Sequence, residues 1–412
     1  MKSFSELHSN KKISFKTVID TVGKVVFIFI KYFFKKKDHI LFSAYDRNVY
    51  CDNSRYLFEY LSNNTELKVY WLTDNLEIQN YLTSNNYKFI TTKNIFLLIW
   101  VMLKTKVTVN SGIQYFNLFG ILDNNSTVKI STLHGSGPKA TISRTENINT
   151  AINQIKNINK FDYINFSSKF SSINIGKRVY LIPNSKIINF GYPRCDQYFD
   201  LRRVNIKHKE KLSVNKIVNN FDINSKIILY TPTWRPYEYQ FPLDKLTNID
   251  YLKFDEWLKN NNYYFFYTSH SGSFTKRIKN NFNRIIYIDI KQFPMFDINE
   301  FMNEVDILLN DYATTSTDFA LLNRAQIFFM PDYDYYYQEK GFIEDYRSSI
   351  PGEEIYTYDD LIKLLNYIND DPLRYVKKFE LSTKNILNKY YESELKNSNM
   401  RFKEFIFKLL NI

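Results

Sequence analysis

The sequence predicts an α/β protein with two doubly wound domains that face each other across a cleft. From residue 39 onward, short apolar runs alternate with longer helical patterns, which indicates βαβ units and parallel sheets. These runs form two series, separated by a charged segment of poor periodicity near residues 201–219. With 412 residues the chain is also too long for one ordinary core, and it suits two domains of near-equal size.

Short apolar runs bounded by turn residues predict the strands. The first series is His39–Ser43, Lys68–Leu72, Lys88–Ile90, Val107–Val109, Val128–Ser131 and Tyr163–Phe166, with a helix over Ser54–Leu61. The second series is Lys226–Tyr230, Tyr263–Tyr267, Arg284–Tyr287, Val305–Leu309 and Gln326–Met330, followed by helical patterns. We therefore predict four parts: a basic N-terminal segment over 1–37, a domain over 38–205, a second domain over 206–395 and a C-terminal helix over 396–412.

The composition excludes several classes of protein. The chain is 44% hydrophobic and 17% aromatic, so it can bury two cores and is not disordered. Its two cysteines, Cys51 and Cys195, cannot form a disulfide framework or a zinc site alone, which favours a reducing, cytosolic location. The net charge of +12 does not indicate nucleic acid, because the basic residues are not interleaved along a platform or a groove-reading motif.

More than half of the net charge lies in residues 1–37. They contain nine lysines against Glu6 and Asp20, a net charge of +7. Their apolar run, Val25–Phe34, is broken by Lys31 and is shorter than the roughly 20 residues of a spanning helix. On a helical wheel, lysines 16, 24, 31 and 35 lie opposite an apolar face of Val25, Val26, Phe29, Ile30 and Phe33. This pattern is typical of a helix on an anionic membrane surface; the alternative is a helix that packs on the protein with solvated lysines.

Ligands in doubly wound sheets bind beyond the carboxyl ends of the strands, so the loops there are the candidate sites. The strand Val128–Ser131 is followed by a loop with His134, which would titrate near neutral pH, and with glycines that let backbone approach a ligand. This loop is not a P-loop, because Pro138 separates Gly137 from Lys139. The alternative for His134 is a loop histidine that caps a strand end.

Two loops of the second domain carry further candidates. Thr231-Pro-Thr-Trp-Arg235 follows a strand, and Arg235 offers a planar fork to phosphate oxygens; its alternative is a structural pair with a carboxylate. His270 follows the next strand in a Thr-Ser-His-Ser-Gly loop, where a loop histidine satisfied by its neighbours is the alternative. The pair Asp332-x-Asp334 lies in a tyrosine-rich run, and we predict no metal there.

The stretch after Val305–Leu309 has the pattern of a phosphate site. Asp311-Tyr-Ala-Thr-Thr315 forms a hydroxyl-rich turn, and the amphipathic segment Phe319–Leu322 that follows would lie on the sheet as a helix. Backbone N–H groups and the helix dipole at such a turn both favour an anion, although Thr314 or Thr315 as a plain helix cap is the alternative. A cleft of His, Arg, Thr and amides with few carboxylates suits a phosphorylated substrate better than a metal.

In their order along the chain, these motifs resemble those of the CDP-glycerol:glycerophosphotransferases of bacterial teichoic acid and capsule synthesis. The motifs are Asp52-Asn-Ser-Arg-Tyr56, His134-Gly135, Gly191-Tyr-Pro-Arg-Cys-Asp196, Leu229-Tyr-Thr-Pro-Thr-Trp-Arg235 and the segment Asp311–Leu322. The resemblance covers roughly residues 39–385. It has two departures: Leu133 stands where the family has Trp, and Ala313 stands where it has the first Ser of a Ser-Ser pair.

The resemblance implies two Rossmann-like domains of the GT-B type, with 38–205 as acceptor domain and 206–395 as CDP-alditol-binding domain, and no metal or other cofactor. It implies a cytoplasmic, peripheral membrane enzyme whose partners are a CDP-alditol, a lipid-linked or polymeric acceptor and an anionic membrane surface, but no nucleic acid. The implied catalytic residues are His134 and His270. The implied donor and phosphate contacts are Arg235, Thr233, Asp311, Thr314 and Thr315, and the acceptor-side candidates are Gly135, Ser136, Lys139 and Arg55.

Two other functions fit the same patterns. A GT-B glycosyltransferase that uses a nucleotide sugar would share the fold and the phosphate contacts but release a nucleoside diphosphate. A non-catalytic, membrane-bound scaffold would retain the fold alone. Which alditol is transferred, and whether one unit or many are added, is open at this stage.

Overall fold

The computed structural model describes residues 38–113, 127–135, 137–233, 235, 242–268, 282–289, 293–392 and 396–412. The predicted basic helix within 1–37 lies outside these ranges, as do Ser136 and His270. In the described residues the chain forms two wholly parallel sheets, one of seven strands and one of six. The predicted α/β class with parallel sheets is confirmed.

The first sheet has the strand order β3-β2-β1-β4-β5-β6-β7. Its strands are β1 His39–Ser43, β2 Lys68–Leu72, β3 Phe89–Ile90, β4 Thr105–Asn110, β5 Val128–Ser131, β6 Tyr163–Asn165 and β7 Ile187–Ile188. Its helices are α1 Asp52–Asn64, α2 Leu76–Ser84, α3 Ile95–Lys104, α4 Ile148–Ile158 and the single turn α5 Lys169–Ser171. Strand β1, which lies between β2 and β4, is buried along its whole length, as expected for a parallel strand covered on both faces.

The second sheet has the order β10-β9-β8-β11-β12-β13. Its strands are β8 Lys226–Tyr230, β9 Tyr263–Thr268, β10 Ile285–Ile288, β11 Ile307–Asn310, β12 Ala325–Phe328 and β13 Glu353–Glu354. The remaining helices are α6 Leu201–Glu210, α7 Leu212–Asn215, α8 Tyr251–Asn260, α9 Ile298–Phe301, α10 Thr315–Phe319, α11 Tyr333–Glu339, α12 Tyr358–Asp370, α13 Pro372–Lys378, α14 Glu380–Tyr390 and α15 Ser398–Leu410. Short 3₁₀ and π turns join these elements, among them Pro193–Phe199.

The last helix of the chain returns to the first sheet. Phe402 and Ile406 of α15 lie in the core that also contains β1 and α1. The N-terminus of α15 is held by Asp196, whose carboxylate accepts hydrogen bonds from the backbone N–H groups of Ser398 at 2.9 Å and Asn399 at 2.8 Å. The segment before the second sheet and the end of the chain are therefore fastened together. The predicted domain boundaries remain predictions.

Most predicted strands agree with the structure, and β1, β2, β5 and β8 agree at both ends. The two-residue strands β7 and β13 were not predicted, because two residues show no periodicity. Within the described residues, no helix combines the length and apolar character that crossing a bilayer would require.

Candidate active site

A cavity of about 540 Å³ opens at the carboxyl ends of the strands, and both sheets contribute to its walls. The first sheet supplies residues that follow β1, β4 and β5, among them Tyr45, Gly112 and His134. The second supplies Thr268 at the end of β9 and residues that follow β11, among them Thr314. The strand-end position predicted for the site therefore coincides with a cavity that both sheets line.

His134 lies on the first-sheet wall of this cavity, in a turn whose backbone is held in place. Leu133 before it has a positive φ of 52°, and its carbonyl accepts a hydrogen bond of 2.7 Å from the side chain of Asn53. Asn53 is buried in α1. The imidazole itself is exposed to the cavity.

The glycines after His134 allow this loop to touch the second domain. A Cβ atom at Gly135 would lie 3.2 Å from Thr314 Oγ1, and one at Gly137 would lie 2.5 Å from Thr314 Cγ2. Side chains at these two positions would therefore push the loop away from Thr314. The structure brings His134 and Gly135, which follow β5 of the first sheet, together with Thr314, which follows β11 of the second sheet.

Thr314 and Thr315 form the second-sheet wall. The Thr314 side chain makes no capping hydrogen bond to the short helix α10, so the capping alternative is not realised there. The Thr315 hydroxyl lies 2.8 Å from the hydroxyl of Thr231, at the end of β8. Both threonines line the cavity, where hydroxyl groups can donate to phosphate oxygens.

Arg235 and Asp311 are buried against each other and are not part of the cavity wall. Arg235 Nη1 lies 2.7 Å from an Asp311 oxygen, and Arg235 Nε lies 2.7 Å from Asp332. Asp311 also accepts hydrogen bonds from the backbone N–H groups of Thr233 and Ala313. The carboxylate-paired alternative for Arg235 is what the structure shows, so direct phosphate contact by Arg235 or Asp311 would require these pairs to rearrange.

Thr233 and Asp332, the first residue of the Asp-x-Asp pair, lie beside the same buried contacts. Thr233 is buried, and its hydroxyl has no hydrogen-bond partner among the described residues. Asp332 binds both Arg235 and the hydroxyl of Tyr312. Through these two contacts, Asp332 stabilises the turn that precedes α10.

Comparison with known proteins adds to this geometry. The family model of CDP-glycerol:poly(glycerophosphate) glycerophosphotransferase matches residues 25–408 of the chain. The chain belongs to this family. The predicted family and its enzyme class, a transferase with a CDP-glycerol type of donor, are thereby confirmed.

Individual relatives agree with the match. The teichoic acid glycerol-phosphate primase of Bacillus subtilis (strain 168) is 26% identical over 323 residues, which cover 76% of this chain and 76% of the primase. The teichoic acid poly(glycerol phosphate) polymerase of Bacillus spizizenii is 27% identical over 402 residues, which cover 87% of this chain and 92% of the polymerase. A solved structure of the wall teichoic acid polymerase TagF matches with a TM-score of 0.73 at 17% identity, covering 97% of this chain and 98% of TagF, and this likeness shows the fold.

The floor of the cavity in this glycerophosphotransferase family member is an ion-pair network that motif reading did not predict. Arg194 Nη1 lies 2.9 Å from Asp52, and its Nε and Nη2 lie 3.0 and 2.9 Å from Asp318. Asp52 begins α1 of the first domain, whereas Asp318 is in α10 of the second. Tyr391 donates a hydrogen bond to the other Asp318 oxygen. Arg194 belongs to the motif Gly191-Tyr-Pro-Arg-Cys-Asp196. An arginine in this motif with no assigned role was the sequence signal for the network.

Burial dominates the electrostatics of this floor. It raises the pKa of Asp52 to about 6, although Arg194 and the backbone N–H of Asn53 both favour the carboxylate. Asp297 and Asp318 add like charge and act in the same direction as burial.

Arg55, an acceptor-side candidate, lies behind the cavity wall. Its Nε lies 3.0 Å from Glu59 and its Nη2 lies 3.1 Å from Glu300, while Asp297 is 3.9 Å from Nη1. The guanidinium is buried and packs over the Tyr50 ring. From this position Arg55 can orient the wall residue Asp297, and its contact with an acceptor remains a prediction.

Residues 138–145 continue the His134 loop and form hydrogen bonds with residues 339–343. We call residues 138–145 the strap. Lys139 forms an isolated antiparallel bridge with Phe342. The backbone N–H of Ile343 donates to the Pro138 carbonyl at 2.7 Å, and that of Ala140 donates to the Gly341 carbonyl at 2.9 Å. Burial lowers the pKa of the Lys139 ammonium, and Asp311 opposes this shift. Lys139 thus fastens the loop through its backbone, and the predicted acceptor contact of its side chain stays a prediction.

Side chains extend the strap. The Thr145 hydroxyl donates to the Glu339 carboxylate at 2.8 Å, and the Lys340 ammonium donates to the Ser143 hydroxyl at 2.6 Å. The Arg144 guanidinium lies 4.3 Å from the centre of the Tyr337 ring. The loop that presents His134 is therefore held by both domains.

Changing Asp52 to asparagine should alter how stability depends on pH. Because burial raises the pKa of Asp52 from its ordinary 3.8 to about 6, the folded protein binds the proton more tightly than the unfolded chain does. This stabilising contribution is complete below the ordinary pKa and is lost as the pH rises through about 6. We expect the wild type to lose stability relative to Asp52→Asn across this window in urea unfolding. Asp359→Asn, at an exposed position of α12, provides the reference, and identical profiles for all three proteins would contradict the assignment.

Gly341 tests the strap. It has a φ of +81°, and a Cβ there would lie 2.5 Å from Arg144 Nε. We expect Gly341→Ala to lower the free energy of unfolding by about 1–2 kcal/mol, from backbone strain and from displacement of Arg144. In a double-mutant cycle, Gly341→Ala with Arg144→Ala should cost less than the sum of the single changes. Strict additivity would show that Arg144 does not contribute to the effect.

Proposed function

We propose that this protein transfers glycerol phosphate, or a related alditol phosphate, from a CDP-alditol to a hydroxyl of a lipid-linked or polymeric acceptor, releasing CMP. The proposed setting is teichoic acid or capsule synthesis at the cytoplasmic face of the membrane, with peripheral attachment. One observation carries the proposal: His134 and Thr314 face a single cavity from opposite domains, in a chain of the glycerophosphotransferase family. The names of the primase and polymerase relatives support the setting.

The proposed architecture follows from the two sheets. Their carboxyl ends share one cavity, and α15 crosses back to the first sheet, which supports a GT-B type of arrangement. We assign acceptor binding to the domain over 38–205 and donor binding to the domain over 206–395, with 396–412 as the returning helix. The likeness to TagF supports this fold.

In the proposed reaction, the oxygen of an acceptor hydroxyl attacks the β-phosphorus of the CDP-alditol, and the hydroxyl proton passes to the His134 imidazole. A new oxygen–phosphorus bond to the acceptor forms, and the bond between the β-phosphorus and the bridging oxygen breaks. CMP leaves with that electron pair. His134 is suited to this role because it is exposed to the cavity while its loop is fixed by Asn53 and by the strap.

The second-sheet wall would stabilise the charge that develops on the phosphoryl oxygens. Thr314 and Thr315 present their side chains to the cavity. Asp311, paired with Arg235, accepts hydrogen bonds from the N–H groups at the start of the turn and so fixes its shape. Preorganised donors of this kind contribute more than flexible ones, because they need not reorient during the reaction. His270 lies outside the described residues and remains a predicted catalytic and phosphate-binding residue.

His134→Ala should reduce the rate of transfer by about 10²–10⁴-fold, the usual effect of losing a general base. The assay measures CMP release from CDP-glycerol by chromatography and the acceptor product by mass spectrometry. His208→Ala is the matched control, because His208 lies 3.0 Å from Asp306 in the second domain, away from the cavity. Near-wild-type transfer by His134→Ala would overturn its role, and release of UDP or GDP from a nucleotide sugar supplied in a parallel assay would indicate a glycosyltransferase instead. Running CDP-ribitol in parallel identifies the alditol.

Thr314→Val should lower kcat/KM about tenfold, because it keeps the shape of the side chain and removes a hydroxyl that we place on phosphate. Thr83→Val, at an exposed position of α2, is the matched control. The hydroxyl of Thr83 bonds only to its own helix in the described structure, at Gln79, so its loss should leave kcat/KM unchanged. Equal kinetics for both variants would exclude a phosphate contact by Thr314.

A further inference from the structure

The ion-pair network at the cavity floor uses only one of the two carboxylate oxygens of Asp52. Its Oδ1 accepts hydrogen bonds from Arg194 Nη1 at 2.9 Å and from the backbone N–H of Asn53 at 2.6 Å. Among the described residues, nothing donates a hydrogen bond to the other oxygen, Oδ2. This oxygen retains contact with solvent, and Asp52 lines the cavity. Because carboxylates in protein interiors are normally hydrogen-bonded, Oδ2 indicates a ligand that donates.

The backbone holds this carboxylate in an unusual conformation. Asp52 begins α1 with a φ of 67°, which few residues with a Cβ atom adopt. Its backbone N–H donates to Asp297 Oδ2 at 3.1 Å, and Asp297 also accepts from the backbone N–H of Asn299 at 2.8 Å. A left-handed residue that contacts from another element keep in place, beside a cavity, is typical of a functional position.

Asp52 lies close to the proposed base. Arg194 Nη1 bonds Asp52, while Arg194 Nη2 would lie 3.8 Å from a Cβ atom at Gly135, the residue after His134. One guanidinium therefore separates Asp52 from the loop that presents the imidazole. A small substrate unit can contact both Asp52 and His134 from the cavity that they line.

An aromatic ring lies at the same end of the cavity. Tyr45 exposes 45% of its surface and lines the cavity, and its hydroxyl is hydrogen-bonded to the Cys51 thiol. A Cβ atom at Gly112 would lie 3.3 Å from the Tyr45 Cβ, so the glycine lets the two loops approach closely. An aromatic ring beside a carboxylate oxygen suits a sugar or a polyol, whose carbon atoms pack on the ring while a hydroxyl donates to the oxygen.

The charges at this end of the cavity favour an uncharged group over a phosphate. Asp52, Asp297 and Asp318 line the cavity, and Arg194 is the one guanidinium among its described lining residues. A phosphate oxygen beside Asp52 Oδ2 would meet like charge, whereas a hydroxyl would donate to it. The amino group of cytosine is the other donor that suits a carboxylate. Asp52 belongs to the first sheet's domain, however, which we assign to the acceptor.

We propose that Asp52 and Tyr45 select the acceptor by binding the unit that carries the attacking hydroxyl. Asp52 Oδ2 accepts a hydrogen bond from a second hydroxyl of that unit, while His134 takes the proton of the first. The Tyr45 ring covers the carbon atoms of the unit. The acceptor is therefore a sugar or polyol with a hydroxyl beside the attacking one. This inference rests on the proposed function and adds the residues that choose the acceptor.

Two kinds of soluble acceptor test this choice, with CDP-glycerol as donor. Glycerol monooctyl ether, which has two neighbouring hydroxyls, is paired with the monooctyl ether of propane-1,3-diol, which has one. Octyl glucoside is paired with analogues that each lack one hydroxyl. The measured quantity is the hydroxyl preference, which we define as kcat/KM for the complete acceptor divided by kcat/KM for its deoxy partner.

The wild type should show a hydroxyl preference of about 10–100-fold, as for a hydrogen bond to a charged group. Asp52→Asn should lower this preference about tenfold, because the hydrogen bond loses its charged acceptor. Damage to the fold alone would reduce kcat/KM equally for both acceptors of a pair and leave the preference unchanged. The KM for CDP-glycerol should stay the same in Asp52→Asn.

Two further variants separate the binding of the acceptor from general effects. Asp306→Asn is the matched control, because Asp306 bonds His208 and Lys211 away from the cavity. It should keep the wild-type preference. Tyr45→Ala should raise the acceptor KM about tenfold, and Tyr45→Phe, which keeps the ring, should raise it less.

The hydroxyl preference should also depend on pH. His134 serves both acceptors of a pair, so its titration cancels in the ratio. Burial raises the pKa of Asp52 to about 6, Asp297 and Asp318 act in the same direction, and Arg194 opposes them. The wild-type preference should therefore be largest above this pH and decrease as the pH falls through about 6. In Asp52→Asn it should not change with pH.

Three outcomes would overturn the proposal: an unchanged hydroxyl preference in Asp52→Asn, an equal loss of preference in Asp306→Asn, or CMP release without transfer to either kind of acceptor. A reduced preference of Asp52→Asn for CDP-glycerol over UDP-glycerol would place cytosine at Asp52 and would also overturn it. If the wild type released no CMP with any acceptor, the proposed function itself would fail.

Discussion

The rest of the structure depends on one buried guanidinium between two carboxylates. Arg194 bonds Asp52 in the first domain and Asp318 in the second, at 2.9–3.0 Å. Taking such charges out of water costs several kcal/mol per ion, and only the complete set of interactions offsets this cost. A displacement of about 1 Å between the domains would break these bonds and leave charge unpaired. The network therefore fixes how the two sheets meet at the cavity floor.

Arg194 also determines where His134 and Thr314 lie. Its backbone N–H donates to the side chain of Asn53, which in turn donates to the carbonyl of Leu133, directly before His134. In the other direction, Arg194 bonds Asp318, one helical turn after Thr314. The side chain and the backbone N–H of Arg194 thus position the two walls of the cavity. Sequence distance gives no indication of this, since the bonds to Arg194 join residues more than 100 positions apart.

The sequence predicts what local patterns encode, and it misses what depends on distant partners. The bounds of β1, β2, β5 and β8 were predictable because buried parallel strands are contiguous apolar runs. The positions of His134 and Thr314 at the cavity were predictable because both residues follow such strands. The pairing of Arg235 was not predictable, since its carboxylates, Asp311 and Asp332, lie 76 and 97 residues away. Both the phosphate and the carboxylate roles suit a guanidinium, and packing alone decides between them.

The strap adds a second constraint to that of Arg194. Backbone hydrogen bonds at Pro138 and Ala140 hold the loop of His134 against residues 341–343, so the imidazole cannot move far from the cavity wall that carries Thr314. Under the proposed function, the acceptor hydroxyl must therefore come to the loop, because the loop cannot move to the hydroxyl. Fixed positions of this kind favour a reaction between two bound groups, since the geometry of attack is set before the substrates arrive.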